Sequence, residues 1–191
     1  MHSRRQRVQT LQIRQSALFC REVECVAIVD RPDNPTRETR IPKDKLMTDF
    51  EGVAPALSAA LNQRNFETLT PVQREVLAPS LRDADMLVSA QTGSGKTVAF
   101  GLALATTLLG EAERFHHTKA PRALVVAPTR ELALQVKREL EWLYAGTGAA
   151  FASCVGGMDM RTERQVLGRG VHIVVGTPGR LRDHIERRSL D

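Results

Sequence analysis

Residues 86–109 read MLVSAQTGSGKTVAFGLALATTLL, and this stretch decides the fold class of the chain. An apolar run as long as a strand comes first, a glycine-rich turn follows, and a helical run of apolar and small residues comes last. This order of strand, loop and helix is the context in which a phosphate-binding loop works. The backbone N–H groups of such a loop, together with the positive end of the helix dipole, bind an anion.

The loop consists of Ala90, Gln91, Thr92, Gly93, Ser94, Gly95, Lys96 and Thr97. Gly93 and Gly95 let the backbone turn around an anion, because glycine adopts conformations that other residues rarely reach. Lys96 supplies a positive charge for the β and γ phosphates, and the Thr97 hydroxyl is suited to ligating Mg²⁺. The general pattern G-x-x-x-x-G-K-[ST] is not strictly met, because Ala90 stands at its first glycine. The sequence therefore predicts nucleotide binding, with Lys96 and Thr97 as candidate catalytic residues and Thr97 as the metal ligand.

From Met47 onward, short apolar runs alternate with helical patterns, which is the layout of βαβ units around a mostly parallel sheet. The predicted strands are Met86–Ser89, Ala123–Ala127, Phe151–Val155 and Val171–Val175. The predicted helices are Val53–Gln63, Pro71–Leu81, Lys96–Leu109, Arg130–Tyr144 and Arg161–Leu167, with a further helix opening near Gly179. We expect an α/β fold in which helices flank the sheet.

Composition and charge narrow the function classes. The chain has 191 residues, of which 42% are hydrophobic and 26% charged, so full disorder, a collagen-like repeat and a disulfide scaffold are excluded. The formal net charge is +5, but residues 1–46 carry ten Lys/Arg against six Asp/Glu and so hold most of it. Nucleic-acid contacts from residues 47–191 therefore need individually placed groups, because no strongly basic field surrounds that region.

The cysteines and the hydropathy pattern indicate the compartment. Cys20, Cys25 and Cys154 show no paired C-x-x-C spacing, so neither a disulfide framework nor a zinc site is supported. The sequence has no apolar run near the ~20 residues that a membrane-spanning helix needs, and its start lacks the apolar core of a secretory signal. We expect a cytoplasmic protein that does not enter a membrane.

The loop with Ala90 at its first position resembles the phosphate loop of the DEAD-box RNA helicases. Upstream, residues 66–73 read FETLTPVQ, which is similar to the Q motif of that family, and Phe50 stands where an isolated upstream aromatic is expected. The resemblance implies that Phe66 stacks on adenine and that Gln73 selects the base. An amide can both donate to and accept from the N6/N7 pair of adenine, whereas guanine presents two acceptors there. The implied cofactors are ATP and Mg²⁺, bound by Phe50, Phe66, Gln73 and the loop.

Three further segments follow predicted strands and resemble RNA-binding motifs of the same family. They are motif Ia, with Pro128, Thr129, Arg130 and Glu131; the glycine doublet, Gly156 and Gly157; and motif Ib, with Thr177, Pro178, Gly179 and Arg180. Because the carboxyl ends of parallel strands meet at one sheet edge, we expect these segments to gather there. The resemblance implies that they hold the RNA sugar-phosphate backbone, with Arg130 and Arg180 contacting phosphates and without reading bases.

The resemblance covers about Phe50 to Arg180 and implies an ATP-dependent RNA helicase, which is an ATP hydrolase. We expect an Arg-rich extension over residues 1–46 without a helicase role, and over 47–191 a partial RecA-like domain that is incomplete at its C-terminal side. The Asp-Glu-Ala-Asp and Ser-Ala-Thr motifs of the family do not occur in this sequence, and neither does its second RecA-like domain. We therefore expect this chain alone to be inactive, because hydrolysis needs metal, positioned water and charge neutralisation together.

Two alternatives stay open. A non-catalytic nucleotide- or RNA-binding module, or a disabled helicase remnant, would use the same binding elements without turnover. An unrelated phosphate-loop ATPase would share the loop but have no need of Gln73, and equal affinity for ATP and GTP would favour it. The sequence does not specify a particular RNA, pathway or protein partner.

Overall fold

The computed structural model of the chain describes residues 9–12, 26–29, 50–81, 84–110 and 112–190. The strands in this part are β1 (Gln9–Gln12), β2 (Val26–Val29), β3 (Met86–Ser89), β4 (Ala123–Val126), β5 (Phe151–Cys154) and β6 (Ile173–Gly176). The helices are α1 (Pro55–Gln63), α2 (Pro71–Glu75), α3 (Lys96–Leu108), α4 (Arg130–Leu143), α5 (Met160–Gly168) and α6 (Pro178–Glu186). None of these helices combines the length and the apolar character needed to cross a membrane.

The strands form two sheets. β3, which leads into the phosphate loop, pairs in parallel with β1. The other sheet has the order β2–β4–β6–β5, in which β4, β6 and β5 are mutually parallel and β2 runs antiparallel to β4. Val175 of β6 lies opposite Val125 on one side and Ser153 on the other. The predicted α/β fold with helices beside a mostly parallel sheet is confirmed.

Both β1 and β2 belong to the Arg-rich extension, so two segments of residues 1–46 pair through their backbones with β3 and β4. Parallel and antiparallel ladders satisfy N–H and C=O groups that an open strand edge would leave unpaired. The boundary at residues 46 and 47 lies outside the described residues. The expectation that the extension has no helicase role stays a prediction.

One predicted helix is shorter in the structure. The pattern predicts a helix over Pro71–Leu81, but α2 ends at Glu75 and a separate 3₁₀ turn spans Pro79–Leu81. The prediction missed the effect of Pro79, which has no N–H to donate to the Glu75 carbonyl and whose ring would clash with that carbonyl. The other predicted helices and strands lie within about two residues of the observed ones, which is the usual uncertainty of element ends.

Helices α3 and α4 pack closely against each other at Gly101. A Cβ atom on Gly101 of α3 would lie 2.8 Å from Leu143 Cδ2 and 2.9 Å from Leu140 Cδ2, so only glycine allows this approach. Tyr144, which follows α4, donates its hydroxyl to the Gly101 carbonyl over 2.7 Å. Burial raises the pKa of Tyr144 far above its usual value, so the phenol stays protonated and keeps this bond.

The same core includes residues from α1, α3, α4, β4 and β6, among them Leu57, Leu102, Leu140, Val125 and Ile173. Each of these side chains is almost completely buried. Because β3 and β4 lie in different sheets of the described structure, this core connects α3, the helix after the phosphate loop, to the four-stranded sheet.

We expect Leu140→Ala to lower the free energy of unfolding by about 2–5 kcal/mol, because it leaves a cavity between α3 and α4. The matched control is Leu87→Ala, which removes the same atoms from a side chain that is 45% exposed on β3. The control variant should lower the free energy of unfolding by less than about 1 kcal/mol, since little apolar surface is lost from the interior. Urea denaturation followed by tryptophan fluorescence measures both, and equal losses would contradict this account of the core.

Candidate functional site

The phosphate loop connects β3 to α3 with two glycines in the left-handed conformation, Gly93 at φ 80° and Gly95 at φ 85°. Gly95 is the N-cap of α3, so it has no side chain to accept from the first-turn N–H groups, and that turn contains no acidic residue. In contrast, Thr129 caps α4 and Asp159 caps α5 through their side chains. The first-turn N–H groups at the positive end of α3 are therefore left without a capping side chain.

Lys96 closes this loop on itself. Its Nζ donates to the carbonyl of Ala90 over 2.7 Å and to that of Gln91 over 3.0 Å. The Ser94 hydroxyl is buried and has no hydrogen-bond partner in the described part of the protein. Thr97 stands half-buried in the first turn of α3. The loop thus brings together an ammonium group, two hydroxyls and the start of a helix.

Thr70 and Gln73, at the start of α2, hold the loop from behind. Gln73 is 1% exposed, accepts from the Thr70 N–H over 2.9 Å and donates to the Gly95 carbonyl over 3.4 Å. The Thr70 hydroxyl donates to the Ser94 carbonyl over 3.0 Å. Both atoms of the Gln73 amide are therefore engaged with backbone groups, one of them in the phosphate loop. Base selection by Gln73 stays a prediction.

The two candidate phenylalanines occupy different surroundings. Phe50 is 5% exposed and packs in the main core. Phe66 is half-buried, with its ring centroid 6.1 Å from that of Trp142 on α4. Arg64 covers the same indole at 4.9 Å, and the indole N–H donates to Glu139 over 2.7 Å. The adenine-binding roles of Phe50 and Phe66 stay predictions.

Motif Ia, the glycine doublet and motif Ib follow β4, β5 and β6, and the structure brings them together at the carboxyl edge of the four-stranded sheet. Arg130 Nη1 donates to the Gly156 carbonyl over 3.0 Å. A Cβ atom on Gly157, at φ 78°, would clash with the same nitrogen. Arg180 donates from Nη2 to the Met158 carbonyl. The loop after β5 is therefore bonded to one arginine from each neighbouring motif.

Most of this edge is open to solvent. The exposed residues are Pro128, Thr129, Arg130, Glu131, Gly156, Gly157, Pro178 and Gly179, whereas Thr177 and Arg180 are half-buried. The Thr129 hydroxyl accepts from the Leu132 N–H over 3.2 Å and so caps α4. Thr177 is the N-cap of α6, but its side chain accepts no hydrogen bond from the first-turn N–H groups, and Pro178 occupies that first turn. The first-turn N–H groups of α6 thus lie next to the exposed glycine doublet without a side-chain cap.

Residues 70–191, more than half of the chain, match the family model for the DEAD/DEAH box helicase. The chain belongs to the DEAD/DEAH box helicase family. The Chaetomium thermophilum RNA-helicase Prp28, solved with ADP bound, is similar with a TM-score of 0.62 and 35% identity, covering 76% of this chain and 36% of that one. A DEAD box protein from Methanococcus jannaschii is similar with a TM-score of 0.61 and 33% identity, covering 73% of this chain and 36% of that one.

Curated members of the family are also similar in sequence. The pre-mRNA-splicing ATP-dependent RNA helicase PRP28 of Lodderomyces elongisporus is 41% identical over 165 residues, covering 82% of this chain and 28% of that protein. The ATP-dependent RNA helicase RhlB of Xanthomonas oryzae is 38% identical over 152 residues, covering 77% of this chain and 26% of that protein. This DEAD/DEAH box chain therefore spans little more than a quarter of the length of these relatives.

Sequence reasoning missed two ionisable residues beside motif Ib. Glu163 of α5 is 4% exposed and His184 of α6 is fully buried. With Cys154 they form a group whose ligand atoms lie within 4.8 Å of one another in the described part of this DEAD/DEAH box protein. The Arg180 guanidinium already donates to Glu163, so the carboxylate has a cationic partner there. One signal was available in the sequence: Glu163 shares the buried face of α5 with Leu167, four residues on.

Two charge effects follow from these surroundings. Burial, and to a smaller extent the nearby Glu163 carboxylate, raise the pKa of the Cys154 thiol to about 12, although the Arg180 guanidinium acts in the opposite direction. Hydrogen bonds from the Thr162 hydroxyl, and from the N–H groups of Thr162 and Arg161, lower the pKa of Asp159. The Asp159 carboxylate therefore stays ionised as the cap of α5.

We expect Gly95→Ala to lower the free energy of unfolding by about 1–3 kcal/mol more than Gly110→Ala does. Both glycines have positive φ, so both variants carry backbone strain. A Cβ on Gly95 would lie 2.5 Å from the buried Gln73 Nε2, whereas nothing lies within 4 Å at Gly110, which follows α3. Urea denaturation measures the difference, and equal losses would show that Gln73 does not hold the loop.

We expect Cys154 to be unreactive toward a disulfide reagent at pH 8 in the folded protein. The experiment uses Cys20→Ser/Cys25→Ser, in which Cys154 is the remaining thiol. Since this pH lies far below the raised pKa, the thiol is almost entirely neutral and the reactive thiolate is scarce. The coloured product that the disulfide reagent releases on reaction should form only when urea is added. Rapid reaction in buffer without urea would disprove the burial of Cys154.

Proposed function

We propose that this chain is the ATP- and RNA-binding portion of an ATP-dependent RNA helicase. The observation that carries the proposal is the loop Ala90–Gly95, which turns through two left-handed glycines into an α3 N-terminus without a side-chain cap. Its position against Thr70 and Gln73 supports a nucleotide site in which the loop and the preceding segment act together.

The loop residues fit a nucleotide phosphate. The buried Ser94 hydroxyl has no partner in the described part of the chain, and the helix start presents N–H groups to an anion. We assign Lys96 to the β and γ phosphates. When the nucleotide binds, the ammonium group exchanges its bonds to the carbonyls of Ala90 and Gln91 for bonds to phosphate oxygens. We assign the Thr97 hydroxyl to Mg²⁺, which neutralises phosphate charge when bound. Lys96 and Thr97 are thus the proposed catalytic residues of this portion.

Base recognition is assigned to aromatic residues that precede α2 and to Gln73 in the first turn of that helix. Phe66 is proposed to stack on adenine, and Gln73 is proposed to bind the edge of the base. Phe50 is included in the proposed ATP site because it stands where the family has an isolated aromatic residue upstream of the Q motif. Because the Gln73 amide also bonds the Gly95 carbonyl, one side chain connects base recognition to the position of the phosphate loop. The related Prp28 structure contains ADP, which supports an adenine nucleotide as the ligand.

The RNA backbone is assigned to the exposed carboxyl edge formed by motif Ia, the glycine doublet and motif Ib. Arg130 offers a guanidinium group, and the α6 N-terminus offers backbone N–H groups that read no base. The relatives PRP28 and RhlB are named ATP-dependent RNA helicases, which supports RNA as the polymer. Duplex separation by the whole protein is proposed to require a second RecA-like domain.

The domain assignment and the setting belong to the same proposal. Residues 47–191 are proposed to form the partial RecA-like domain. Residues 1–46 are proposed to form an extension that takes no part in helicase function. We propose a cytoplasmic setting, where thiols stay reduced; in the described part of the chain, Cys154 is buried and free.

We expect Lys96→Ala to weaken binding of a fluorescent ATP analogue by at least about tenfold, because one charge-assisted contact to the phosphates is lost. The control is Lys119→Ala, which removes an exposed lysine from the connection between α3 and β4 and should leave affinity unchanged. Fluorescence titration measures affinity, and a coupled phosphate assay with RNA measures turnover in the same samples.

The outcomes separate the candidate functions. Binding that depends on Lys96 and favours ATP over GTP supports the proposal. Equal affinity for ATP and GTP would favour an unrelated phosphate-loop ATPase. ATP hydrolysis by the wild type that disappears in Lys96→Ala would show that this chain also contains a group that positions the attacking water. Equal ATP binding by the wild type and by Lys96→Ala would refute the assigned nucleotide site.

A further inference from the structure

A nearly buried carboxylate lies directly behind the proposed RNA-binding edge. Glu163 is 4% exposed, although its helix α5 leads away from the glycine doublet along the protein surface. Burying a carboxylate is unfavourable unless charge and hydrogen bonds compensate it. The partners that compensate Glu163 therefore indicate what this residue does.

Each oxygen of Glu163 has a distinct partner set. Oε1 accepts from the backbone N–H of Val155 over 3.0 Å, one residue before the glycine doublet. Oε2 accepts from Arg180 Nε over 2.7 Å and lies 2.8 Å from His184 Nε2. A single side chain thus joins the end of β5 to the first and second turns of α6.

Arg180 extends this connection to the far side of the glycine doublet. While its Nε donates to Glu163, its Nη2 donates to the Met158 carbonyl. The loop Gly156–Met158 is consequently bonded where it begins, through Val155, and where it ends, through Met158. Glu163 makes the first of these bonds, and Arg180, which is itself bonded to Glu163, makes the second.

His184 fixes the other side of the carboxylate. Its Nδ1 lies 2.8 Å from the Ser189 hydroxyl, which also donates to the His184 carbonyl over 3.1 Å. The imidazole is fully buried, so its orientation is set by Glu163 and Ser189. Glu163 therefore cannot move toward solvent without breaking bonds to β5, to Arg180 and to His184.

A pair of this kind contributes more to geometry than to net stability. A buried ion pair is often no more stabilising than packed apolar side chains, because desolvation offsets the attraction. Its directional bonds, however, hold the groups that they join in one arrangement. In this protein those groups are the glycine doublet and the start of α6, which both belong to the proposed RNA-binding edge.

We propose that Glu163 is a positioning residue for binding of a nucleic-acid backbone, acting through Arg180 and the loop Gly156–Met158 without touching the polymer. This inference rests on the proposed function, because it assumes that the edge binds RNA. The site for the nucleotide, on the loop before α3, has no bond to Glu163 among the described residues. Loss of Glu163 should therefore affect RNA affinity and leave nucleotide affinity unchanged.

The test measures binding of a short fluorescein-labelled oligouridylate by anisotropy in the presence of a non-hydrolysable ATP analogue, using the full chain. We expect Glu163→Gln to weaken RNA binding by about tenfold, a typical size for loss of a positioning contact. Affinity for a fluorescent ATP analogue should stay within about twofold of wild type. The matched control is Glu186→Gln, which removes an exposed carboxylate from α6 that pairs with Arg182, and it should change neither affinity.

A second variant protects the test from a folding failure. Glu163→Gln leaves Arg180 without its counter-ion, so the variant can lose its structure and with it nucleotide binding. Glu163→Asp keeps the charge but is one methylene shorter, so it cannot span Val155 and Arg180 in the same way. We expect Glu163→Asp to bind the nucleotide normally and RNA about threefold to tenfold more weakly than wild type.

A double-mutant cycle tests the route through Arg180. If Glu163 acts through Arg180, then Glu163→Gln/Arg180→Gln should bind RNA as weakly as Arg180→Gln alone, because the losses are not additive. A merely structural role would lower the RNA and nucleotide affinities together, whereas additive losses would show that Glu163 does not act through Arg180.

The outcomes distinguish this inference from the proposed function. RNA binding by wild type that Glu163→Asp and Glu163→Gln leave unchanged would overturn the inference and leave the proposed function standing. Additive losses in the cycle would also overturn it. Wild type that binds nucleotide but no RNA would refute the proposed RNA edge, and the positioning role of Glu163 with it.

Discussion

The contact between α3 and α4 at Gly101 links the loop after β3 to the helices that cover the four-stranded sheet. Among the described residues, β3 and β4 lie in different sheets, and no backbone ladder joins the strand before the phosphate loop to the strands that end at the proposed RNA edge. Gly101 lets Leu140 and Leu143 approach the α3 backbone, and the Tyr144 hydroxyl closes the contact. Side-chain packing between α3 and α4 therefore holds the two candidate binding regions in position relative to each other.

The two regions are built in the same way. In each, a glycine-containing loop follows a parallel strand, leads to a helix start and is bonded from behind by a nearly buried polar side chain. Gln73 serves the phosphate loop, and Glu163 serves the loop after β5. The exposed backbone of each loop is left to face a ligand, while its shape is determined by a residue that faces the interior. This division allows rigid loops without covering their N–H groups.

Much of this arrangement could be predicted from the sequence, because it depends on local signals. The run from Met86 to Leu109 gave β3, the loop and α3 almost to the residue, and topology alone brought the motifs after β4, β5 and β6 to one edge. The break at Pro79 was predictable in kind but was missed, because the apolar pattern continues across it. The pairing of β1 and β2, the core position of Phe50 and the Glu163–Arg180–His184 contacts could not be predicted. They depend on which distant segments meet, and periodicity does not encode that.

The packing of Phe66 against Trp142 has a practical consequence for spectroscopy. Trp142 is the one tryptophan of the sequence, and it contacts Phe66 and Arg64 of the segment between α1 and α2 as well as Glu139 of its own helix. Its emission therefore originates from a single known place, where the segment between α1 and α2 packs on α4. Red-shifted emission or easier quenching by iodide would report separation of that segment from α4, without any label attached to the protein.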